Sequence, residues 1–268
     1  MKSYLFGFVS IFLCSCNDNC NTSEGNIDCH NNEINKPIFS LNTNEIFIEE
    51  PLRTLARAVE EENLVSLVNY VKEGGNINLR GRHGLTLLYW SLKNKKKKSF
   101  QKLLELGADP NLILGMDNSV IYWSAGLNDP FYLDMVLKYR GDPNLIDPRQ
   151  LETPLFRAAT PDGKGNINSL ISSGAKLNFR NKFGETALLT AASLNQYDVV
   201  YTLITAGADY AIHDRWNNGL DYFLKTSESM DKSSELYKWR NKVIKLIESK
   251  RQKKQDLFHE KNQQIDSK

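Results

Sequence analysis

Apolar residues recur at helical spacing in short segments that polar turns separate. Near the C-terminus, the stretch from Leu236 to Ile247 places apolar side chains three or four residues apart, with basic residues on the other side. This spacing predicts a helix that buries one face, and with the preceding "GLDYFLK" it forms a closing helix pair. Near residue 50, Leu52 to Val59 and Leu64 to Lys72 predict a first pair with a polar outer face. The pattern indicates an all-α protein.

Between these two pairs the chain repeats itself. Five segments end alike: "VKEGGNINL", "LELGADPNL", "LKYRGDPNL", "LISSGAKLNF" and "LITAGADYAI". Their equivalent positions are Gly74, Gly107, Arg140, Gly174 and Gly207, spaced by 33, 33, 34 and 33 residues. Such a period is typical of a solenoid, in which each unit buries its apolar face only against its neighbours.

A second set of positions keeps the same period and marks helix starts. Thr86, Ser119, Thr153 and Thr186 are good N-cap residues. Their hydroxyls can accept from the free N–H groups of the first turn, and Pro154 suits the first helical position. The glycines at 107, 174 and 207 predict left-handed helix ends. Since Arg140 departs from this pattern, Gly141 is expected to make that turn.

The segments "TLLYWSL", "SVIYWSA", "TPLFRAA" and "TALLTAA" resemble ankyrin repeats. The resemblance covers Pro51 to Tyr222 and implies an ankyrin-repeat solenoid of about five to six repeats with capping helices. Aromatic or aliphatic residues replace the usual histidine of the motif, so its hydrogen bonds between repeats should give way to apolar packing; they are Tyr89, Tyr122, Phe156 and Leu189. The pairs Tyr89-Trp90 and Tyr122-Trp123 are expected in the interior, with a ligand box as the alternative.

The N-terminus predicts export. Lys2 precedes about ten mostly apolar residues, Tyr4 to Leu13, a length typical of a signal peptide and too short to span a membrane. The sequence Leu13-Cys14-Ser15-Cys16 resembles the lipobox of bacterial lipoproteins, which implies that Cys16 carries a lipid. The alternatives are an ordinary secreted protein and a retained helix. Asn17 favours the outer membrane of a Gram-negative envelope, facing the periplasm, although Asp18 weakens this assignment.

The remaining cysteines lie in a polar, Asn-rich stretch. In an oxidising compartment Cys20 and Cys29 are expected to form a local disulfide. A metal site with His30 is the alternative, but two cysteines and one histidine at this spacing match no zinc pattern. The predicted domains are a signal peptide (1–15), a polar tether (16–50), the repeats (51–222) and a capping helix with a basic tail (223–268).

Composition and charge indicate a globular protein and bear on which partners it can bind. The chain is 41% hydrophobic and 25% charged, which is ordinary for a globular protein. Acidic residues outnumber basic ones ten to three between Asp18 and Glu62, whereas eleven basic residues face six acidic ones from Asp231 to Lys268. The run "KNKKKKS" at Lys93 is expected to be a solvated loop and the tail from Lys250 a frayed helix end. Their alternatives are nucleic-acid or lipid binding at the run and an anionic membrane contact at the tail; nucleic acid is not expected as a partner.

The sequence shows no pattern of catalytic or metal-binding residues. The four histidines have no ligand spacing, and the sequence contains no nucleophile elbow, no glycine-rich loop after a strand and no recurring carboxylate pair. We expect no enzymatic activity, no metal and no cofactor.

The order of segments along the chain resembles that of a narrower group of ankyrin-repeat proteins. A tether, a first repeat "LARAVEEENLVSLVNYVKEGGNIN" and a second "LLELGADPN" look like ankyrin lipoproteins that act as immunity proteins of type VI secretion systems. The resemblance implies an inhibitor that binds a secreted phospholipase effector in the periplasm. The alternative is a periplasmic scaffold with a housekeeping role, such as catalase support or envelope assembly.

The hairpin tips between repeats are the predicted interface. Tips need no packing of their own, yet these hold arginines and large aromatics, the residue types that most often carry interface energy. The predicted binding residues are Arg82, His83, Met116, Arg149, Gln150, Lys182, Phe183, Arg215 and Trp216. The alternative for Phe183 and Trp216 is packing on the next hairpin.

Overall fold

Short helices follow one another in pairs along the chain. A computed structural model describes residues 42–115 and 118–266. Its helices are α1 (Thr43–Ile46), α2 (Leu52–Glu60), α3 (Leu64–Lys72), α4 (Leu87–Lys93), α5 (Lys97–Glu105), α6 (Val120–Ala125), α7 (Pro130–Lys138), α8 (Pro154–Ala158), α9 (Ile167–Ser172), α10 (Ala187–Ser193), α11 (Tyr197–Thr205), α12 (Leu220–Thr226) and α13 (Glu235–Asp266). Two 3₁₀ turns lie at Arg82–Gly84 and Lys164–Asn166. The described residues contain only an isolated β-bridge, between Arg80 and Thr86.

The pairs stack in sequence order. The first helices of successive pairs contact one another in the series α2, α4, α6, α8, α10 and α12, and among the second helices α3 contacts α5, α5 contacts α7 and α11 contacts α13. Their facing sides are apolar, and Leu67, Leu103, Leu133, Leu170 and Leu203 are fully buried. The predicted all-α solenoid of stacked helix pairs is therefore confirmed.

Three of the four predicted N-cap residues cap their helices through the side-chain hydroxyl. The hydroxyls of Thr86, Ser119 and Thr186 each accept from the backbone N–H three residues later. Thr153 does not cap α8 in this way, because Phe156 N donates to the Thr153 carbonyl at 3.0 Å instead. Pro154 occupies the first turn as predicted.

The predicted left-handed helix ends are observed, with one exception. Gly107, Gly174 and Gly207 adopt positive φ angles of 90°, 83° and 103°, as predicted. Arg140 itself adopts φ 65°, so the prediction that Gly141 makes the turn is wrong. Gly141 serves packing instead, since a Cβ there would lie 2.4 Å from Val136 Cγ1.

Asparagine side chains join neighbouring repeats at these turns. Asn78, Asn111 and Asn144 each accept a backbone N–H from the next repeat, at 2.7 to 2.8 Å. Each also donates to a carbonyl of that repeat, at 2.9 to 3.1 Å. Because one side chain satisfies both a donor and an acceptor of the neighbouring turn, these bonds help to fix the spacing of consecutive repeats at these three steps.

The folded part begins earlier than the boundary at residue 51. Ile46 and Phe47 are fully buried, and the Phe47 ring meets Trp90 edge to face with centroids 5.5 Å apart. Residues 42–50 therefore cap the first repeat, whereas the sequence analysis placed them in the tether.

The C-terminal end closes as predicted, with one exception. Val243 and Ile247 of α13 are buried, but Leu236 is 43% exposed. Beyond Ile247 the helix is continuous to Asp266 instead of ending in a fray.

The lysine run is not simply a solvated loop. It spans the end of α4 and the start of α5, and Lys97 Nζ lies 2.7 Å from Asp129 Oδ2. Lys97 Nζ also lies 4.9 Å from the centroid of the Phe131 ring. The run therefore contributes to contacts between the second and third helix pairs.

Candidate protein-binding surface

The loops that join one helix pair to the next fold back as hairpins. Three consecutive tips are held from inside by a buried polar side chain: Asp147, Asn181 and Asp214. The Oδ1 atom of each accepts two backbone N–H groups of its own tip at 2.7 to 3.0 Å. This internal bonding satisfies N–H groups of the tip backbone, and the tips carry the exposed side chains of Arg149, Lys182, Arg215 and Trp216.

The same three tips are bonded to one another. Lys182 N donates to Gln150 O at 3.1 Å, and Arg215 N donates to Phe183 O at 3.0 Å. Lys182 Nζ also donates to Arg149 O at 3.2 Å. We call the six residues at these tips the tip strip: Arg149, Gln150, Lys182, Phe183, Arg215 and Trp216. The strip is a continuous surface made by three successive hairpins.

An aromatic pair lies at one end of the tip strip. The rings of Phe183 and Trp216 stack with centroids 5.9 Å apart and an interplanar angle of 21°. The Arg215 guanidinium lies 4.2 Å from the Trp216 centroid and 4.7 Å from that of Phe183. The two aromatics therefore pack across neighbouring hairpins, as the alternative predicted, but Trp216 remains 56% exposed.

The first tip is built differently. Arg82 and His83 are exposed in a 3₁₀ turn, and His83 adopts a φ of 58°. A Cβ on Gly115 would lie 2.0 Å from His83 O, so only glycine lets the second loop approach the first. Met116 lies outside the described residues, as do Cys16, Cys20 and Cys29.

The aromatic pairs of the first helices are only partly interior. Tyr89 and Trp90 are 4% and 2% exposed, as predicted. Tyr122 and Trp123 are half-buried, and the Tyr122 hydroxyl donates to Glu152 Oε2 at 2.9 Å. The prediction that hydrogen bonds between repeats are lost at these positions is therefore wrong at Tyr122, because a tyrosine keeps a polar tip that phenylalanine lacks.

Glu152 lies at the base of the third hairpin and joins three repeats. It accepts from Tyr122 of the previous repeat, and Asn181 Nδ2 of the next lies 3.4 Å from its Oε1. Burial raises the pKa of Glu152, and the nearby Asp147 and Glu185 raise it further, whereas the two hydrogen bonds oppose the shift. The neighbouring Tyr122 hydroxyl also has a raised pKa, chiefly because of burial.

We expect the stability of Glu152→Gln relative to wild type to be highest near pH 7. A raised carboxyl pKa means that the folded state binds the proton more tightly than the unfolded state, so this group contributes stability at low pH that is lost as pH rises through the folded-state pKa. The neutral amide avoids that loss, so the advantage of the variant should shrink as pH falls. Urea unfolding of both proteins between pH 4 and pH 8 checks this, and an advantage that grows on acidification would contradict it.

No group of three metal-binding side chains occurs among the residues that the structure describes. In the same part of the chain, no helix is long and apolar enough to cross a membrane. The tip-holding residues Asp147, Asn181 and Asp214 were not predicted, although their spacing of 34 and 33 residues is visible in the sequence.

Comparison with known proteins identifies the repeats. A family model of ankyrin repeats, comprising three copies, matches residues 121–214. The solved ankyrin repeat domain from Acinetobacter baumannii AYE superposes with a TM-score of 0.64 at 23% identity, covering 72% of this chain and 96% of that one. A second solved ankyrin repeat protein, EF0377, superposes with a TM-score of 0.63 at 22% identity over 73% of this chain and 98% of its own.

Two curated relatives match shorter segments. Protein PhlB of Serratia liquefaciens is 33% identical over 118 residues, which is 44% of this chain and 52% of PhlB. Neurogenic locus notch homolog protein 1 of Mus musculus is 27% identical over 154 residues, which is 56% of this chain and 6% of its own length. The chain thus spans about half of PhlB and a small part of the notch protein. The predicted ankyrin-repeat fold is thus confirmed. Ankyrin repeats suggest a protein-binding module, and such a scaffold is typically non-catalytic.

Proposed function

We propose that the chain is an immunity protein that binds and neutralises a phospholipase effector of a type VI secretion system. The observation that carries this proposal is the exposed tip strip, which presents arginine, lysine and tryptophan on three bonded hairpins. Trp and Arg are the residue types most often found at the energetic centre of protein interfaces. A rigid backbone beneath them lowers the entropy lost when a partner binds.

The charge of the tips favours an acidic partner surface. Arg149, Lys182 and Arg215 occupy successive tips, and Arg82 adds a fourth cation on the first tip. Complementary charges across an interface accelerate association and select against wrong partners. The proposed mechanism is therefore stoichiometric: the solenoid covers the lipase and blocks its access to lipid, without chemistry of its own.

The proposed location follows from the N-terminal sequence. We place the protein in a Gram-negative envelope, more specifically at the outer membrane facing the periplasm, with a lipid on Cys16 and a disulfide between Cys20 and Cys29. The anchor would keep the inhibitor beside the membrane that the toxin attacks. It would also raise the effective concentration of the inhibitor at that surface.

The proposal predicts protection of cells. Bacteria that lack the chain and receive a secreted phospholipase effector of the same strain in their periplasm should lyse, and the intact chain should restore survival. Cys16→Ser, which removes the proposed lipid attachment site, should protect less at equal protein level. A housekeeping scaffold would leave survival unchanged, and that result would contradict the proposed function.

A further inference from the structure

The last helix extends well past the solenoid that it caps. Ile247 is the last buried residue of α13, and residues 248–258 are all exposed. The helix nevertheless continues to Asp266. We call the segment from 248 to 258 the helix extension; the solenoid leaves its side chains exposed to solvent.

Charged and apolar residues divide the helix extension into two faces. At about 100° per residue, one arc of roughly 160° holds every basic and large apolar side chain. These residues are Lys250, Arg251, Lys253, Lys254, Leu257 and Phe258. The opposite arc holds Glu248, Gln252, Gln255 and Asp256. The first face thus combines four cations with two apolar side chains and has no acidic residue.

We propose that this face binds the surface of an anionic phospholipid bilayer. Leu257 and Phe258 are 58% and 63% exposed, side by side at the end of the extension. Helices with a basic polar region and adjacent Leu or Phe lie in the plane of the bilayer interface. There the cations contact lipid phosphates while the apolar side chains enter the acyl boundary, and each basic residue adds to the attraction.

Binding to a lipid surface explains both the four cations and the two exposed apolar side chains of this face. An acidic protein would pair the four cations but gives no reason for Leu257 and Phe258 to be exposed among them. The helix extension shares no residue with the tip strip, so this proposal does not depend on the identity of the protein partner. It adds a second membrane contact, at the C-terminal end of the fold.

Co-sedimentation with vesicles tests the proposal. The full chain with Cys16→Ser, which excludes an N-terminal lipid, is mixed with vesicles of phosphatidylcholine containing phosphatidylglycerol or with phosphatidylcholine alone. We expect at least about tenfold stronger partitioning to the anionic vesicles. The variant Lys250→Gln, Arg251→Gln, Lys254→Gln should lose that difference.

The control changes net charge equally on the other face. Lys245→Gln, Ser249→Glu, Gln255→Glu also lowers the charge by three, and it should retain most of the binding. Leu257→Gln with Phe258→Gln should weaken binding without changing the charge. All variants should have the same melting temperature as the parent protein, because these side chains are exposed in the structure. Equal partitioning of the neutralised variant and the control, or of the parent to both kinds of vesicle, would overturn the proposal.

Discussion

Replacing Arg149, Lys182 and Trp216 together by alanine is expected to weaken binding of the partner by at least about 100-fold. The three side chains are exposed on consecutive tips of one strip. The backbone bonds that hold those tips, from Lys182 N to Gln150 O and from Arg215 N to Phe183 O, do not involve the substituted side chains. The melting temperature and helical circular dichroism should therefore stay close to wild type while calorimetric titration shows the loss.

A matched control substitutes the same number of exposed residues elsewhere. Val65, Lys72 and Lys245 are exposed on the second helices α3 and α13, and their combined replacement by alanine again removes one large apolar and two basic side chains. This control should bind the partner like wild type. Unimpaired binding by the folded tip variant, or an equal loss in the control, would show that the tip strip is not the interface.

Trp90→Ala is expected to lower the free energy of unfolding by about 3 to 5 kcal/mol. The Trp90 side chain is 2% exposed, packs against Phe47 and donates from Nε1 to Glu60 Oε1 at 3.2 Å. Its removal leaves a cavity between the N-terminal cap and the first two repeats and leaves the Glu60 carboxylate without that donor. Urea unfolding measures the loss.

Trp216→Ala provides the comparison, since it is the same substitution at an exposed tryptophan. We expect a change in the free energy of unfolding of less than about 1 kcal/mol, because Trp216 contributes only its stack on Phe183 and the Arg215 contact. The two tryptophans should thus separate stability from binding. A stability loss at Trp216 as large as that at Trp90 would contradict the assignment of Trp216 to the surface.

The solenoid could be predicted because its determinants are local and repeated. A glycine every 33 or 34 residues ends a helix, and a hydroxyl residue such as Thr86 or Thr186 starts the next, so each unit carries its own boundaries. The exceptions arise where two local solutions compete. Arg140 takes the left-handed turn although Gly141 follows it, and a Cβ on Gly141 would lie 2.4 Å from Val136 Cγ1. The general preference of glycine for a positive φ therefore does not predict which of these two residues makes the turn.

The contacts between tips could be predicted only in part. Residue type identified Phe183 and Trp216 as unusual for hairpin tips, but the side chain that each would meet depends on the rise from one repeat to the next. That rise is set by side-chain bonds such as those from Asn144 to the next turn. The hydrogen bond from Tyr122 to Glu152 has the same origin, since it joins residues 30 positions apart.

The central claim is that the chain neutralises a phospholipase by binding it through the tip strip. Titration of the purified enzyme with the purified chain, while fatty-acid release from vesicles is followed, tests it most directly. We predict that activity falls in proportion to added chain and is lost at one chain per enzyme, and that the variant lacking Arg149, Lys182 and Trp216 leaves activity intact. Full enzyme activity in the presence of an excess of folded wild-type chain would contradict the account.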